Sequence, residues 1–208
     1  MKQKLKKGLT TLALAVTLAS PFSAKADGAV ELMAGNKAHT ADVKLFGKVA
    51  KNTGLLARTR VGVDYENNSS ALTFLDIYQS LGKGFSAALV PQYTPAKGLV
   101  MMAGPQYIGR WKDLSTVVLL ATSLEEKPSY NIITSTSYRP KLTSDLNFAA
   151  QLETTNIFNN QGHVFSTERV RLGLTKNGFE VGVATDITQT GKEGTLDYNL
   201  GAYLKKGF

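Results

Sequence analysis

The chain has 208 residues, 24 basic and 16 acidic side chains, a formal net charge of +8, and no cysteine, which excludes a disulfide scaffold and a lipoprotein anchor. Five of the basic residues and none of the acidic ones lie in the first 26 positions, which leaves 19 basic and 16 acidic side chains in the rest. This near balance gives little support to nucleic-acid binding, and no nucleic-acid partner is predicted.

The first 26 residues have the pattern of a secretory signal peptide. Four lysines precede an apolar run from Leu9 to Ala19, and Ala24 and Ala26 form a small-residue cleavage site before Asp27. The alternative is a membrane anchor, but an apolar run of eleven residues is short of the roughly 20 that a spanning helix needs. We therefore predict a cleaved signal peptide over 1–26 and one exported domain over 27–208.

From Asp27 onward the sequence alternates between polar and apolar residues in segments separated by short turns. This period-2 pattern is typical of strands with two different faces. It predicts an all-β chain that forms a single antiparallel barrel of about twelve strands, with ten as the alternative count and a secreted sandwich as the alternative fold. The predicted strands are 28–35, 41–50, 55–65, 71–80, 85–93, 99–110, 114–124, 129–138, 145–156, 164–175, 179–189 and 195–208.

The connections between these segments alternate in length. KNTG at 51–54, GKG at 82–84 and KNG at 176–178 are tight, whereas GNKAHTAD at 35–42 and NIFNNQGH at 156–163 read as longer loops. Short turns at one end and longer loops at the other are typical of a transmembrane barrel with short periplasmic turns.

The two faces of the predicted strands differ strongly in composition. In a membrane barrel the apolar face meets lipid and the charged face lines the lumen. Four aromatic residues that follow or adjoin the tight turns are expected at the membrane interface, namely Phe85, Trp111, Phe179 and Phe208. Two segments fit less well: 114–124 is apolar on both faces, and 71–80 places Asp76 on the same face as Phe74 and Tyr78.

The last fourteen residues, TLDYNLGAYLKKGF, form an alternating strand that ends on Phe208. With the signal peptide and the even set of strands, this ending resembles that of the Gram-negative outer-membrane β-barrel proteins. Gly201, Leu204 and Phe208 match the family's terminal-strand spacing, and Lys206 departs from it. The resemblance implies an outer-membrane location, contact with outer-membrane lipid and recognition by the barrel-assembly machinery. Twelve-stranded members include small channels, a phospholipase and autotransporter domains, so the resemblance leaves the activity open.

Charged residues on the other face are the candidate functional residues. Paired arginines on one strand, as in Arg58 with Arg60 and Arg169 with Arg171, would attract anionic solutes inside a narrow pore. The alternative is that acidic residues on the same face neutralise them and fill the lumen. The predicted lumen-lining set is Lys44, Lys48, Arg58, Arg60, Asp64, Arg110, Glu153, Arg169, Arg171, Glu180, Asp186, Asp197 and Lys205.

An enzyme is the least favoured interpretation of the sequence. Outer-membrane hydrolases use a serine nucleophile and a histidine base, but residues three apart in an unbroken strand point to opposite faces. His163 and Ser166 are therefore predicted not to meet, and His39 is expected in the first external loop. No catalytic residue, metal site or cofactor is predicted. A small passive channel for polar or anionic solutes is favoured, with a filled structural barrel as the alternative.

Overall fold

A computed structural model describes residues 27–191 and 194–208, and within them the chain forms twelve antiparallel strands that close into a barrel. The strands are β1 Asp27–Gly35, β2 Ala38–Ala50, β3 Thr53–Asp64, β4 Ser69–Gly82, β5 Phe85–Thr94, β6 Gly98–Trp111, β7 Leu114–Ser123, β8 Tyr130–Tyr138, β9 Asn147–Asn159, β10 Gly162–Lys176, β11 Phe179–Thr190 and β12 Thr195–Gly207. Each strand pairs with its neighbours in sequence. The predicted fold class and strand count are confirmed, and the predicted signal peptide lies outside the described residues.

The barrel closes between its first and last strands. β1 pairs with β12 from Ala29 opposite Gly207 to Gly35 opposite Gly201. Two backbone hydrogen bonds between Gly28 and Phe208 extend this pairing, with N···O distances of 2.8 and 3.0 Å. The terminal Phe208 is therefore held in the sheet.

The barrel end at which the chain enters has short turns, as predicted. Strands are joined there by two-residue turns at 51–52, 83–84, 112–113 and 177–178, and by one longer loop at 139–146. Lys83-Gly84 and Asn177-Gly178 adopt positive φ at both positions, the conformation that joins twisted strands in a two-residue hairpin. We call this the N-terminal end of the barrel.

The opposite end, which we call the loop end, corrects two of the predicted loops. The segments 35–42 and 156–163 are mostly strand, and only 36–37 and 160–161 are turn. Polar residues in these segments resembled a loop in sequence, yet they complete the ladders of β1 with β2 and of β9 with β10. The remaining loops at this end are 65–68, 95–97, 124–129 and 191–194.

The outward face of the barrel is a belt of exposed apolar side chains. Leu89, Leu120, Leu172, Val183 and Leu200 are each exposed although they lie in the middle of paired strands. A barrel in water would have to hydrate this belt, whereas lipid tails cover it without cost. Among the described residues, no helix is long and apolar enough to cross a membrane.

Candidate functional site: the barrel lumen

The inner face of the barrel has two chemically different halves. The strands β1 to β3 and β9 to β12 supply charged side chains, and β4 to β8 supply mainly apolar ones. Each strand directs every second residue inward, and these inward residues differ in character between the two groups of strands. Their contents determine what could pass through the lumen.

Arg169 on β10 is the centre of the charged half. Its Nη1 lies 2.7 Å from Asp42 Oδ2 and 2.8 Å from Glu153 Oε2. Its Nη2 lies 3.1 Å from Glu31 Oε1, and its Nε lies 3.3 Å from Asp186 Oδ1. One guanidinium that is 4% exposed thus contacts carboxylates from four different strands.

The neighbouring cations complete what we call the lumen network. Arg171 Nε lies 2.9 Å from Glu31, and its Nη1 lies 2.8 Å from Asp186. Arg60 also pairs with Asp186, with an Nη2 to Oδ2 distance of 2.5 Å. The network contains the five cations Lys44, Arg58, Arg60, Arg169 and Arg171 and the four carboxylates Glu31, Asp42, Glu153 and Asp186. The five positive and four negative charges nearly cancel. This is the internal neutralisation that the sequence allowed as the alternative to an anion-attracting pore.

The lumen network crosses the barrel from wall to wall. Arg58 on β3 donates from Nη2 to Glu153 Oε2 on β9 over 2.8 Å, and Lys44 on β2 donates to the same carboxylate. β3 and β9 are six strands apart in the closed order of twelve, so they face each other across the lumen. Arg58 also binds Asp42 through Nε, at 2.9 Å. Side chains therefore bridge the full width of the lumen.

Glu180 on β11 holds a second, smaller cluster toward the N-terminal end. It accepts from the Tyr203 hydroxyl at 2.8 Å and from Arg139 Nη2 at 3.0 Å. Lys205 Nζ lies 3.7 Å from the same carboxylate and donates to Gln151 at 3.2 Å. Tyr203 and Arg139 were not among the predicted lumen residues. The tyrosine could have been found, because it shares the inward phase of Asn199 and Lys205.

Four predicted lumen residues lie at the rims instead of the centre. Asp197 is exposed at the loop end and pairs with Lys37, and this hydrogen bond raises the pKa of Lys37. Asp64 accepts from the Asn68 backbone N–H at 2.7 Å within its own turn. Lys48 and Arg110 are exposed at the N-terminal end.

The apolar half of the lumen is the largest feature that the sequence analysis missed. It is a cluster of inward side chains from β5, β6 and β7, namely Ala88, Val90, Val100, Met102, Leu119 and Ala121. Phe74 and Tyr78 from β4 and Ile133 from β8 pack against it. This explains why 114–124 reads as apolar on both faces: one face meets lipid and the other meets this cluster. The sequence signal for this cluster was the segment 114–124, in which polar and apolar residues do not alternate.

Asp76 and Gln106 are the polar pair of this apolar half. Gln106 Nε2 donates to Asp76 Oδ2 over 2.5 Å, and both residues are buried. The placement of Asp76 beside Phe74 and Tyr78 is therefore real and marks the inward face of β4.

The four predicted interface aromatics lie at one end of the barrel. Phe85, Trp111, Phe179 and Phe208 are at the N-terminal end, and each is about half exposed or more. Lys206, the residue that departs from the terminal-strand pattern, places Nζ 4.0 Å from the centre of the Phe179 ring. This cation–π contact gives the lysine a place among the aromatic residues.

The structure corrects the prediction for His163 and Ser166. Their side chains meet, with His163 Nε2 2.6 Å from Ser166 Oγ. The reason is a bulge: His163 pairs with Phe158 and Phe165 pairs with Ile157, so Val164 has no partner on β9. One extra residue changes the alternation and brings both side chains to the same face. His39 was also placed wrongly, since it lies in β2 and packs edge-on against Tyr65.

The comparisons with known proteins agree with this architecture. No protein-family model matches the sequence, and no curated protein matches it. Among solved structures, the chain is similar to the NanC porin with 10% identity and a TM-score of 0.56, covering 88% of this chain and 99% of that one. It is also similar to the KdgM porin with 11% identity and a TM-score of 0.51, over the same shares of the two chains. KdgM has also been solved in complex with disordered oligogalacturonate, and that structure has a TM-score of 0.50. The chain therefore has the fold of small outer-membrane porins, as the sequence predicted.

Proposed function

We propose that this protein is an outer-membrane channel for small polar solutes whose lumen is closed at rest by the lumen network. The observation that carries the proposal is the contact of Arg58 and Lys44 with Glu153 across the barrel. These contacts are made by strand side chains, so a rotamer change at Glu153 would break the contact between β3 and β9 without moving the backbone, while Arg60 with Asp186 and Arg169 with Asp42 remain paired. The fold shared with NanC and KdgM supports a channel, and the exposed apolar belt supports a location in lipid.

Anionic solutes are the preferred class in this proposal. The lumen network has one more cation than carboxylates, and four of its five cations are arginines. Guanidinium groups bind carboxylates and phosphates in a bidentate manner, so an entering anion could replace Glu153 as a partner of Arg58. A cation would find no unpaired carboxylate in the network.

Biogenesis follows the family resemblance in this proposal. The signal peptide over 1–26 would direct export, with cleavage after Ala26, and the terminal strand ending in Phe208 would be read by the barrel-assembly machinery. Outer-membrane lipid would then surround the apolar belt.

Planar-bilayer recording of the refolded mature protein tests the channel. The informative variant is the double substitution Arg58→Ala with Glu153→Ala, which removes one charge of each sign and the cross-lumen contact. We expect rare or small current steps for the unmodified protein, a several-fold larger conductance for the double variant, and a reversal potential that indicates anion preference. Asp145→Ala with Lys176→Ala is the matched control, because that pair is exposed at the N-terminal end.

A filled structural barrel is the second candidate, and the apolar half of the lumen favours it. Val90, Met102 and Leu119 are nearly inaccessible, so the centre of that side is packed with apolar side chains. Silence of both the unmodified protein and the double variant, with both shown to be folded, would support this candidate and overturn the channel.

A further inference from the structure

The outer wall of the barrel carries a polar group of three side chains at the loop-end edge of the apolar belt. We call Asn156, His163 and Ser166 the outer-wall group. Ser166 pairs with Asn156 on β9 and with Gln189 on β11, in a row that continues to Ile132 on one side and Leu196 on the other. Both ends of this row are exposed apolar residues, so the row faces outward. The inward residues Glu153 and Arg169 have the opposite phase.

The bulge at Val164 holds the histidine over the serine. The Val164 carbonyl accepts a hydrogen bond of 3.0 Å from Gly191 N, which attaches the bulge to the loop after β11. The Gly191 carbonyl in turn lies 3.3 Å from His163 Nδ1. His163 also packs edge-on against Phe158, with ring centres 5.7 Å apart. The imidazole is therefore fixed by a carbonyl on one side and an aromatic ring on another.

The hydrogen bonds determine which nitrogen of His163 can act as a base. A carbonyl oxygen can only accept, so the contact with Gly191 requires the proton on Nδ1. Nε2 is then unprotonated and lies 2.6 Å from Ser166 Oγ, where it can accept the hydroxyl proton. This is the arrangement of a nucleophile with its general base and an orienting group behind the base.

Asn156 contacts the serine from the other side. Ser166 Oγ lies 2.9 Å from Asn156 Oδ1, with the hydroxyl as donor. A hydroxyl has one proton, so it serves either Nε2 or Oδ1 at a given time. Rotation of the carboxamide presents Nδ2 as a donor to Oγ and leaves the hydroxyl proton for Nε2. The reactive pattern therefore needs the carboxamide rotated from the orientation seen in the structure.

The outer-wall group lies near the loop end of the barrel, at the edge of the apolar belt. Ser166 is four residues from Gly162 at the loop-end start of β10, which is roughly 13 Å along a strand and about 9 Å along the membrane normal for a strand tilted by about 45°. Toward the barrel centre the same outward face carries Glu168 and Ile187, and the apolar residues Leu172 and Val183 lie further on. A lipid whose chains lie on Leu172 and Val183 would bring its polar end, with the ester carbonyls, to the level of Glu168 and Ser166.

We infer that the outer-wall group is an acyl-ester hydrolase site, with Ser166 as nucleophile, His163 as general base and a long-chain acyl ester of a membrane lipid as substrate. Ser166 Oγ attacks the ester carbonyl carbon while its proton moves to His163 Nε2. The C–O bond to the alcohol breaks, and the alkoxide takes that proton and leaves. Water then attacks the acyl-serine, passes a proton to Nε2, and releases the fatty acid as the serine regains its proton.

A site in this position is independent of the lumen. The hydrolase would work in either an open or a closed barrel, because the nucleophile and the base face lipid. Gln189 stands opposite Ser166 on β11 and could supply an amide donor to the developing oxyanion. Ser166 is 8% exposed, because Asn156 and His163 both contact its hydroxyl, so substrate has to displace one of these side chains to reach Oγ.

Labelling with a long-chain fluorophosphonate tests the nucleophile directly. The probe forms a phosphorus–oxygen bond to an activated serine with loss of fluoride, and peptide mass spectrometry locates it. We expect labelling of the folded protein in detergent micelles at Ser166, none for Ser166→Ala, and at least a tenfold slower reaction for His163→Gln. Ser80→Ala and His39→Gln, which change exposed residues elsewhere, should react like the unmodified protein.

Hydrolysis assays identify the lipid source. Phosphatidylethanolamine vesicles and purified lipopolysaccharide are supplied separately, and release of fatty acid is measured by mass spectrometry. Release from either substrate that is lost in Ser166→Ala supports the site and assigns the source. Folding of each variant is checked by its shift in gel mobility on heating. Absence of labelling in the folded unmodified protein, or equal labelling of Ser166→Ala, would show that the group only satisfies hydrogen bonds on the outer wall.

Discussion

Replacing Asp42 with asparagine tests the energetic role of the lumen network most directly. The substitution keeps the shape of the side chain and removes one of four carboxylates, which leaves five cations facing three. Asp42 is 1% exposed and accepts from Arg58 Nε at 2.9 Å and from Arg169 Nη1 at 2.7 Å. An asparagine Nδ2 in place of one oxygen would oppose two guanidinium donors.

The expected loss follows from the burial of these charges. Removing one partner of a buried ion pair costs about 3–5 kcal/mol, because the remaining charge is left uncompensated. Arg58 retains Glu153, and Arg169 retains Glu31, Glu153 and Asp186, so we expect the lower end, about 3 kcal/mol.

Equilibrium unfolding in guanidinium chloride with lipid vesicles gives the free energy of unfolding for this test. Asp197→Asn is the matched control, because its carboxylate is exposed at the rim and pairs only with exposed Lys37 in the described structure. Exposed pairs contribute about 1 kcal/mol or less. A loss below about 1 kcal/mol for Asp42→Asn, equal to the control, would show that the network is hydrated and would refute the account of a closed lumen.

Three further predictions concern the barrel wall and its ends. Gly201→Ala should lower the folded fraction by overpacking at a cost of about 1–3 kcal/mol, since its Cβ would lie 2.0 Å from a backbone carbonyl of β1, whereas Gly47→Ala, with open space, should not. Phe208→Ala should reduce the amount of assembled barrel in cells, measured by heat-dependent gel mobility, while barrel already folded keeps its twelve strands; unchanged assembly would contradict an address role. Lys176 lies 2.8 Å from Asp145 and lowers the pKa of that exposed carboxyl. An NMR titration of Asp145 should therefore give a pKa below the ordinary range of an aspartate. The stability from this pair is present above the unfolded pKa and lost as pH falls, and Lys176→Met should raise the pKa only part of the way, because Thr143 still donates to Asp145 at 3.0 Å.

Much of the fold follows from local rules that a sequence contains. Alternation between polar and apolar residues identifies strands, and the Lys-Gly and Asn-Gly turns separate them, so all twelve strands could be located to within a few residues. The same alternation assigns Arg58 and Arg169 to one face and Leu172 to the other. These predictions need only the two-residue period of a strand and the backbone freedom of turn residues.

The candidate sites could not be predicted in this way. Arg58 meets Glu153 only because closure of the barrel places β3 opposite β9, and no local pattern contains that distance. The bulge at Val164 shifts the phase of β10 on its loop-end side, which brings His163 and Ser166 to the same face and allows their hydrogen bond. Sequence alternation therefore determined the strands and their faces, because it is a property of each strand alone. The lumen network and the outer-wall group were decided by the tertiary structure, because both depend on register and on which strands the barrel brings together.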